Sequence, residues 1–228
     1  RFVIAGSLTR DFIVLPDGNV INDVPGGNLL YTAAGMAMWD ENIGLVSRIN
    51  EDYPREWLMK FRTRGLDVRG IQVDPDYRDH RKFLAYPTLD NPTMENPLAH
   101  YARVGKPLPK TLLGYTPQKN ETENNLISNT AIKLKEIPFD YLDVTAVHIS
   151  ALDYASQTRL PSFFRQGHVA TVSLLASDEY MNSLKWDTFP TIVTGINAFI
   201  CTETQLRDLF LGRSSDLVEM SSQLAVYG

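Results

Sequence analysis

The chain has 228 residues, of which 43 % are hydrophobic and 21 % charged, and its formal net charge is −5. This is ordinary globular usage for one large domain or two small ones, and the negative balance argues against a broad nucleic-acid-binding surface. Cys201 is the single cysteine, so an internal disulfide and a cysteine-based zinc cluster are excluded, a reducing, cytoplasmic setting fits, and no apolar run approaches the length of a membrane span.

In chain order, Phe2 to Ala5 is a short apolar run ending at Gly6, which reads as a buried strand. Phe12 to Leu15 reads as a second strand, closed by the turn Pro16-Asp17-Gly18-Asn19. "NVIND" gives a weaker third strand. The stretch "PGGNLLYTAAGMAMW", Pro25 to Trp39, sets two glycines against an uncharged apolar run. It predicts a helix from Asn28 to about Trp39, with Asn28 as N-cap. A helix apolar all round is one packed between layers. Ile43 to Ser47 is a buried strand. Pro54 then opens a helix with Trp57, Leu58 and Phe61 on one face, ending at Gly65 before the strand "GIQVD". The order β-β-β-α-β-α-β argues for an α/β layered fold.

Between residues 74 and 140 prolines recur. "RKFLAY" and "LAHYARV" read as strands of a hairpin or lid. "YTPQKNETENNLISNT" reads as an exposed loop containing the sequon Asn120-Glu121-Thr122. Regular alternation then resumes: "AVHIS" strand, "DYASQTRLPSFFRQG" helix with Pro161 inside it, "HVATVSLL" strand, "DEYMNSLKW" helix, "NAFICT" strand and "ETQLRDLFLG" helix. A last helix covers "SSDLVEMSSQLAVYG". This is the pattern of a parallel sheet with helices on both faces.

Generic catalytic signatures are missing. The histidines at 80, 100, 148 and 168 have no metal-ligand spacing, and there is no nucleophile elbow, Walker A loop or G-x-G-x-x-G. What remains is a linked pattern: Asp11 in "GSLTRD", Gly26-Gly27 before a helix, "GLVSRINEDYP" and "RGLDVRGIQV". Glycines ahead of a helix N-terminus let a ligand approach bare backbone.

That sequence of parts resembles the PfkB family of carbohydrate and nucleoside kinases. The resemblance is specific over residues 1 to 73, weakens through 74 to 140, and returns from Ala146 to Gly212. It implies one α/β domain over 1–228: a three-layer α/β/α, mostly parallel ribokinase-like sheet, with lid strands inserted at about 12–23 and 80–104. It also implies ATP-dependent, Mg-assisted phosphorylation of a hydroxyl of a sugar or nucleoside-like substrate. Asp11 would accept hydrogen bonds from substrate hydroxyls. Gly26 and Gly27 would bring backbone amides to the substrate and hinge the lid. Asn28 would cap its helix beside the substrate. Thr202 and Gln205, in "TETQ", stand where the family's N-x-x-E serves metal and phosphates.

This chain departs from the family pattern in several places. Tyr31 stands where the family has asparagine, and Asn50 where it often has glycine. Leu175 and Ala176 replace an acid and a proline. The literal "NETE" at Asn120 to Glu123 lies in the polar loop and reads as coincidence. The family's "GAGD" motif, which carries the catalytic base and an anion hole, is absent up to Gly228, so the base is expected beyond it. The alternative is a non-catalytic or degenerate binding protein on the same scaffold, or an inactive fragment of a kinase. An open sheet edge near Asn197 to Thr202 would favour a homodimer.

Overall fold

The structure, a computed structural model, describes residues 1–75, 79–117 and 130–227. The "YTPQKNETENNLISNT" loop from residue 118 on, with its sequon, lies outside the described residues. β1 (Phe2–Ala5), β4 (Ile43–Ile49), β5 (Leu66–Val73), β7 (Ala146–Ile149), β8 (Thr171–Leu175) and β9 (Ala198–Ile200) form one six-stranded sheet in the order β5-β4-β1-β7-β8-β9. Every neighbouring pair is parallel.

A parallel sheet needs cover on both faces, and the period-two alternation of the strands sorts their side chains accordingly. Ile4, Ile43, Leu45 and Ile49 face α1 (Asn28–Met36) and α2 (Arg55–Thr63), which contribute Leu29, Ala33, Trp57 and Phe61. Val3, Ala5, Val147, Ile149, Val172 and Leu174 face the other way. There α4 (Tyr154–Phe164), α6 (Glu203–Leu209) and α7 (Leu217–Ala225) supply Leu160, Phe164, Leu206, Leu209 and Leu224. Short α5 (Pro190–Val193) adds Ile192 and Val193 to this second core.

Three further strands make a separate small sheet in the order β3-β2-β6: β2 (Thr9–Val14), β3 (Val20–Gly26) and β6 (Arg81–Ala85). β2 pairs antiparallel with β3 and parallel with β6. This small sheet has its own core of Phe12, Val14, Phe83, Ala85, Tyr101 and Leu112.

Four expectations are corrected. The first lid segment runs from Thr9 to Gly26 rather than from 12 to 23. "LAHYARV" is not a strand but α3 (Pro97–Arg103), because Pro97 sits at a first helical position and Tyr101 buries against β6. "DEYMNSLKW" yields only a 3-10 turn, Ser183–Thr188, capped by Asn182 accepting the Leu184 amide. Finally, α1 stops at Met36 and is not buried all round. Leu29 and Ala33 are buried, but Tyr31 is 69 % and Trp39 85 % exposed. On that side a cavity of about 510 Å³ lies between Thr32, Met36 and Trp39 and the sheet residues His148 and Ser173.

Candidate functional site

From β1 the chain moves outward to β4 and β5, whereas β7 leads to β8 and β9 on the opposite side. Strand order therefore reverses between β1 and β7. In open α/β sheets, ligands bind outside the carboxyl ends of the strands at such a point. Ser7 leaves β1 here and Ala151 follows β7, and α1 begins beside them.

Asn28 laces the two strand ends together. Its Oδ1 accepts from the Ser7 backbone N–H at 2.8 Å and from Ser7 Oγ at 3.1 Å, and its Nδ2 donates to the Ala151 carbonyl at 2.6 Å. It was expected to cap α1, but Gly27 occupies the N-cap position and no side chain caps this helix. The Asn28 amide is committed to Ser7 and Ala151 instead. Gln157 does the same one strand further on: its Nε2 donates to the Ser150 carbonyl at 2.9 Å and to the Leu175 carbonyl at 2.8 Å, tying the ends of β7 and β8. Sequence reasoning did not single out Gln157.

The glycines are required by close approach. A Cβ on Gly26 would lie 2.0 Å from Asp11 Oδ2. Gly27 has φ +98°, and a Cβ there would lie 2.2 Å from the Ser7 carbonyl oxygen. A Cβ on Gly6 would lie 2.7 Å from Asn28 Oδ1. Asp11, on β2, thus packs its carboxylate directly against the Gly26 backbone. It is only 5 % exposed and accepts a hydrogen bond from Thr9 Oγ1 at 2.5 Å. Burial pushes the Asp11 carboxyl above its ordinary range, against the opposing pull of Thr9 and Lys82. Among the described residues the buried Tyr53 hydroxyl has no hydrogen-bond partner, and burial first and the Asp11 charge second push it upward. The neighbouring Arg10 pairs with Asp23 at 2.6 Å and reaches the Asp52 carbonyl at 3.1 Å.

The structure thus brings Asp11, Gly26, Gly27 and Asn28 together at the reversal point. Thr202 and Gln205 lie elsewhere, at the end of β9, three strands from β1 in the sheet. They form a capping box for α6: Thr202 Oγ1 accepts the Gln205 amide at 3.1 Å, and Gln205 Oε1 accepts the Thr202 amide at 2.9 Å. Gln205 Nε2 then donates to Asp178 at 2.6 Å. Among the described residues, no group of three or more His, Cys, Asp or Glu side chains is placed to hold a metal ion.

No family model matches the chain. Solved structures match it closely in shape. A PfkB protein from Polaromonas sp. superposes with a TM-score of 0.65 at 12 % identity, over 100 % of this chain and 73 % of that one. The fold is ribokinase-like. A fructokinase from Xylella fastidiosa gives a TM-score of 0.66 at 11 % identity, over 99 % of this chain and 69 % of that one. In sequence, the cytidine kinase of Thermococcus kodakarensis is 25 % identical over 160 residues, 69 % of this chain. The chain spans 46 % of that relative's length.

The Xylella fructokinase has also been solved with bound ATP. In this ribokinase-like chain the two residues expected to meet a nucleotide, Thr202 and Gln205, form the capping box of α6. No helix of the described residues is long and apolar enough to cross a membrane.

Proposed function

We propose that this chain carries the substrate-binding half of an ATP-dependent kinase acting on a hydroxyl of a sugar or nucleoside. The observation that carries the reading is the Asp11 carboxylate, buried against Gly26 beside the β1/β7 reversal point. An ionised carboxylate only accepts hydrogen bonds, so it suits the paired donors of a vicinal diol. Burial makes the charge costly, and two hydroxyl donors offset that cost where water cannot reach. The similarity to a cytidine kinase and the ribokinase-like fold support the same substrate class.

The chain's own residues account for binding and enclosure. Asp11 and the Gly27 backbone orient the polyol. The lid sheet, joined to the core through Gly26-Gly27, covers it and excludes water. Asn28 and Gln157 hold the floor by fixing three strand ends. The nucleotide would supply the phosphoryl group, and Thr202 and Gln205, at the N-terminus of α6, are the residues of this chain that would lie toward it.

The test is calorimetric titration of ribose, fructose and cytidine into the protein and into Asp11→Asn. Saturable binding of one of these polyols, lost in the variant, is the expected result. Binding of none of them by the wild type overturns the reading. A second reading, a binding protein without catalysis, is favoured by the closed Thr202–Gln205 box. A polyol that binds but receives no label from γ-labelled ATP would select it.

A further inference from the structure

Three of the connections between lid and core run between β1 and β2, between β3 and α1, and between β5 and β6. The third ends at His80, directly before β6. His80 is 5 % exposed. Its carbonyl accepts the Arg10 amide at 2.8 Å, which makes it part of the lid's β2–β6 pairing. Its ring reaches the opposite way: Nε2 accepts the Asn50 backbone N–H at 2.6 Å, one residue past the end of β4.

Asn50 organises a tight turn. Its Oδ1 accepts from the Asp52 amide at 2.9 Å, and its carbonyl accepts from the Tyr53 amide at 3.4 Å. The Tyr53 ring stands edge-on to His80 at 5.8 Å between centroids. Arg10 holds the same turn through the Asp52 carbonyl. Two lid residues, Arg10 and His80, therefore grip the loop at residues 50–53, and Arg10 is the immediate neighbour of Asp11. Arginine keeps its charge at any ordinary pH, so only the imidazole contact is sensitive to a proton.

A ring nitrogen that accepts a backbone N–H carries a lone pair. The neutral ring therefore holds its proton on Nδ1. Protonation would set an N–H against the Asn50 N–H, which cancels the bond and leaves a part-buried amide without its acceptor. We propose that His80 is a proton-sensitive latch between lid and core, whose neutral ring fixes β6, and through β6 the Asp11-bearing strand β2, onto the loop at residues 50–53. The contact is complete above the titration of the ring and is lost as pH falls through it. Among the described residues, Asp79, paired with Arg81 at 2.6 Å, is near enough to feel the charge of the ring, Tyr53 stands edge-on to it, and Arg10, paired with Asp23, holds the same turn.

The consequence for polyol affinity rests on the kinase reading above, whereas the latch itself does not. The experiment follows the ligand-free protein by NMR across about pH 8 to about pH 5, the range of histidine titration. The His80 Nε2 and Asn50 amide resonances are expected to move with one midpoint. Below it, hydrogen exchange in β2 and β6, corrected for intrinsic rates, should rise roughly five- to tenfold relative to β4. His80→Gln places an amide oxygen where Nε2 stood and cannot be protonated there, so its lid exchange should stay slow throughout.

Three outcomes overturn the latch: lid exchange unchanged while His80 protonates, a ring and Asn50 amide that do not titrate at all, or the same acid-dependent rise in His80→Gln. If that variant does not fold, the wild-type titration decides alone. Acid-released lid exchange in a protein that binds no polyol at any pH keeps the latch and refutes the kinase reading. Polyol binding with pH-independent lid exchange does the reverse.

Discussion

Replacing Gly26 by alanine tests the geometry at its tightest point. The new methyl would lie 2.0 Å from Asp11 Oδ2, 2.2 Å from Cγ and 2.6 Å from Oδ1. Ordinary contact needs roughly 3.5 Å, so either the carboxylate or the backbone must move. The carboxylate is nearly enclosed and is held by Thr9 at 2.5 Å, so it has no free place to go. Overpacking of this kind costs about 1–3 kcal/mol, and loss of the Thr9 bond adds about 1 kcal/mol. For a chain of this size the melting temperature should fall by roughly 5–15 °C, and polyol binding should be lost. The decisive assay is the double variant Asp11→Ala with Gly26→Ala, which removes all three clashing atoms. Thermal melts of the four proteins should show the double variant recovering at least about 1 kcal/mol over the sum of the singles. Simple additivity would refute the claim that Asp11 is what makes glycine necessary at 26. Gly27→Ala offers no such rescue, because its methyl meets the Ser7 backbone at 2.2 Å.

Asp11 is raised by burial, so its protonated form is favoured in the folded state: its contribution to stability is present in acid and is lost as pH rises from 3.8 through the raised value. Asp11→Asn should therefore melt above the wild type at neutral pH and level with it in acid, and a lower neutral melt would refute the assignment. Asn28→Ala removes the bridge from Ser7 to Ala151 and should cost about 1–3 kcal/mol in chemical denaturation; a neutral effect would mean that the β1 and β7 ends do not depend on it. Thr202→Ala should cost about 1 kcal/mol through the lost cap and leave polyol binding unchanged; changed nucleotide binding without a stability loss would make Thr202 a ligand contact instead. Exposed Trp39 and Met38 on the side of α1 should drive self-association; sedimentation as a monomer at tens of micromolar, unaltered by Trp39→Lys, would refute this.

The sheet was readable because each strand–helix unit carries its own local signals: short apolar runs, glycine stops and helical stripes. "LAHYARV" was misread because seven residues of mixed polarity fit either period, and the deciding cue lay just before them in Asn96-Pro97. Asp11 and the glycine pair were readable as neighbours because one connection, from β1 to α1, carries them all. The staples were not. Asn28 meets a carbonyl 123 residues away, and no sequence window reports that. In "TETQ" the Thr-x-x-Gln spacing is itself a capping-box signature, so the first turn of α6 is legible in the letters.

α1 shows where pattern reading reaches its physical limit. An uncharged helix signals that burial is favoured on every side, since exposed apolar area costs about 25 cal/mol per Å². The sequence records how much surface is to be covered, but not which polypeptide covers it. In this structure the sheet covers Leu29 and Ala33, while Tyr31 stands exposed and Trp39 stands open beside the cavity that reaches His148 and Ser173. His148 is half-buried, donates to or accepts from Ser173 at 2.9 Å, and is pushed down by that burial. A neutral, paired histidine on a parallel strand belongs to a face that is shielded from water rather than washed by it. The helix composition and the histidine's partner are independent features of the same face. The exposed side of α1 is therefore the place where a change in assembly should be read first.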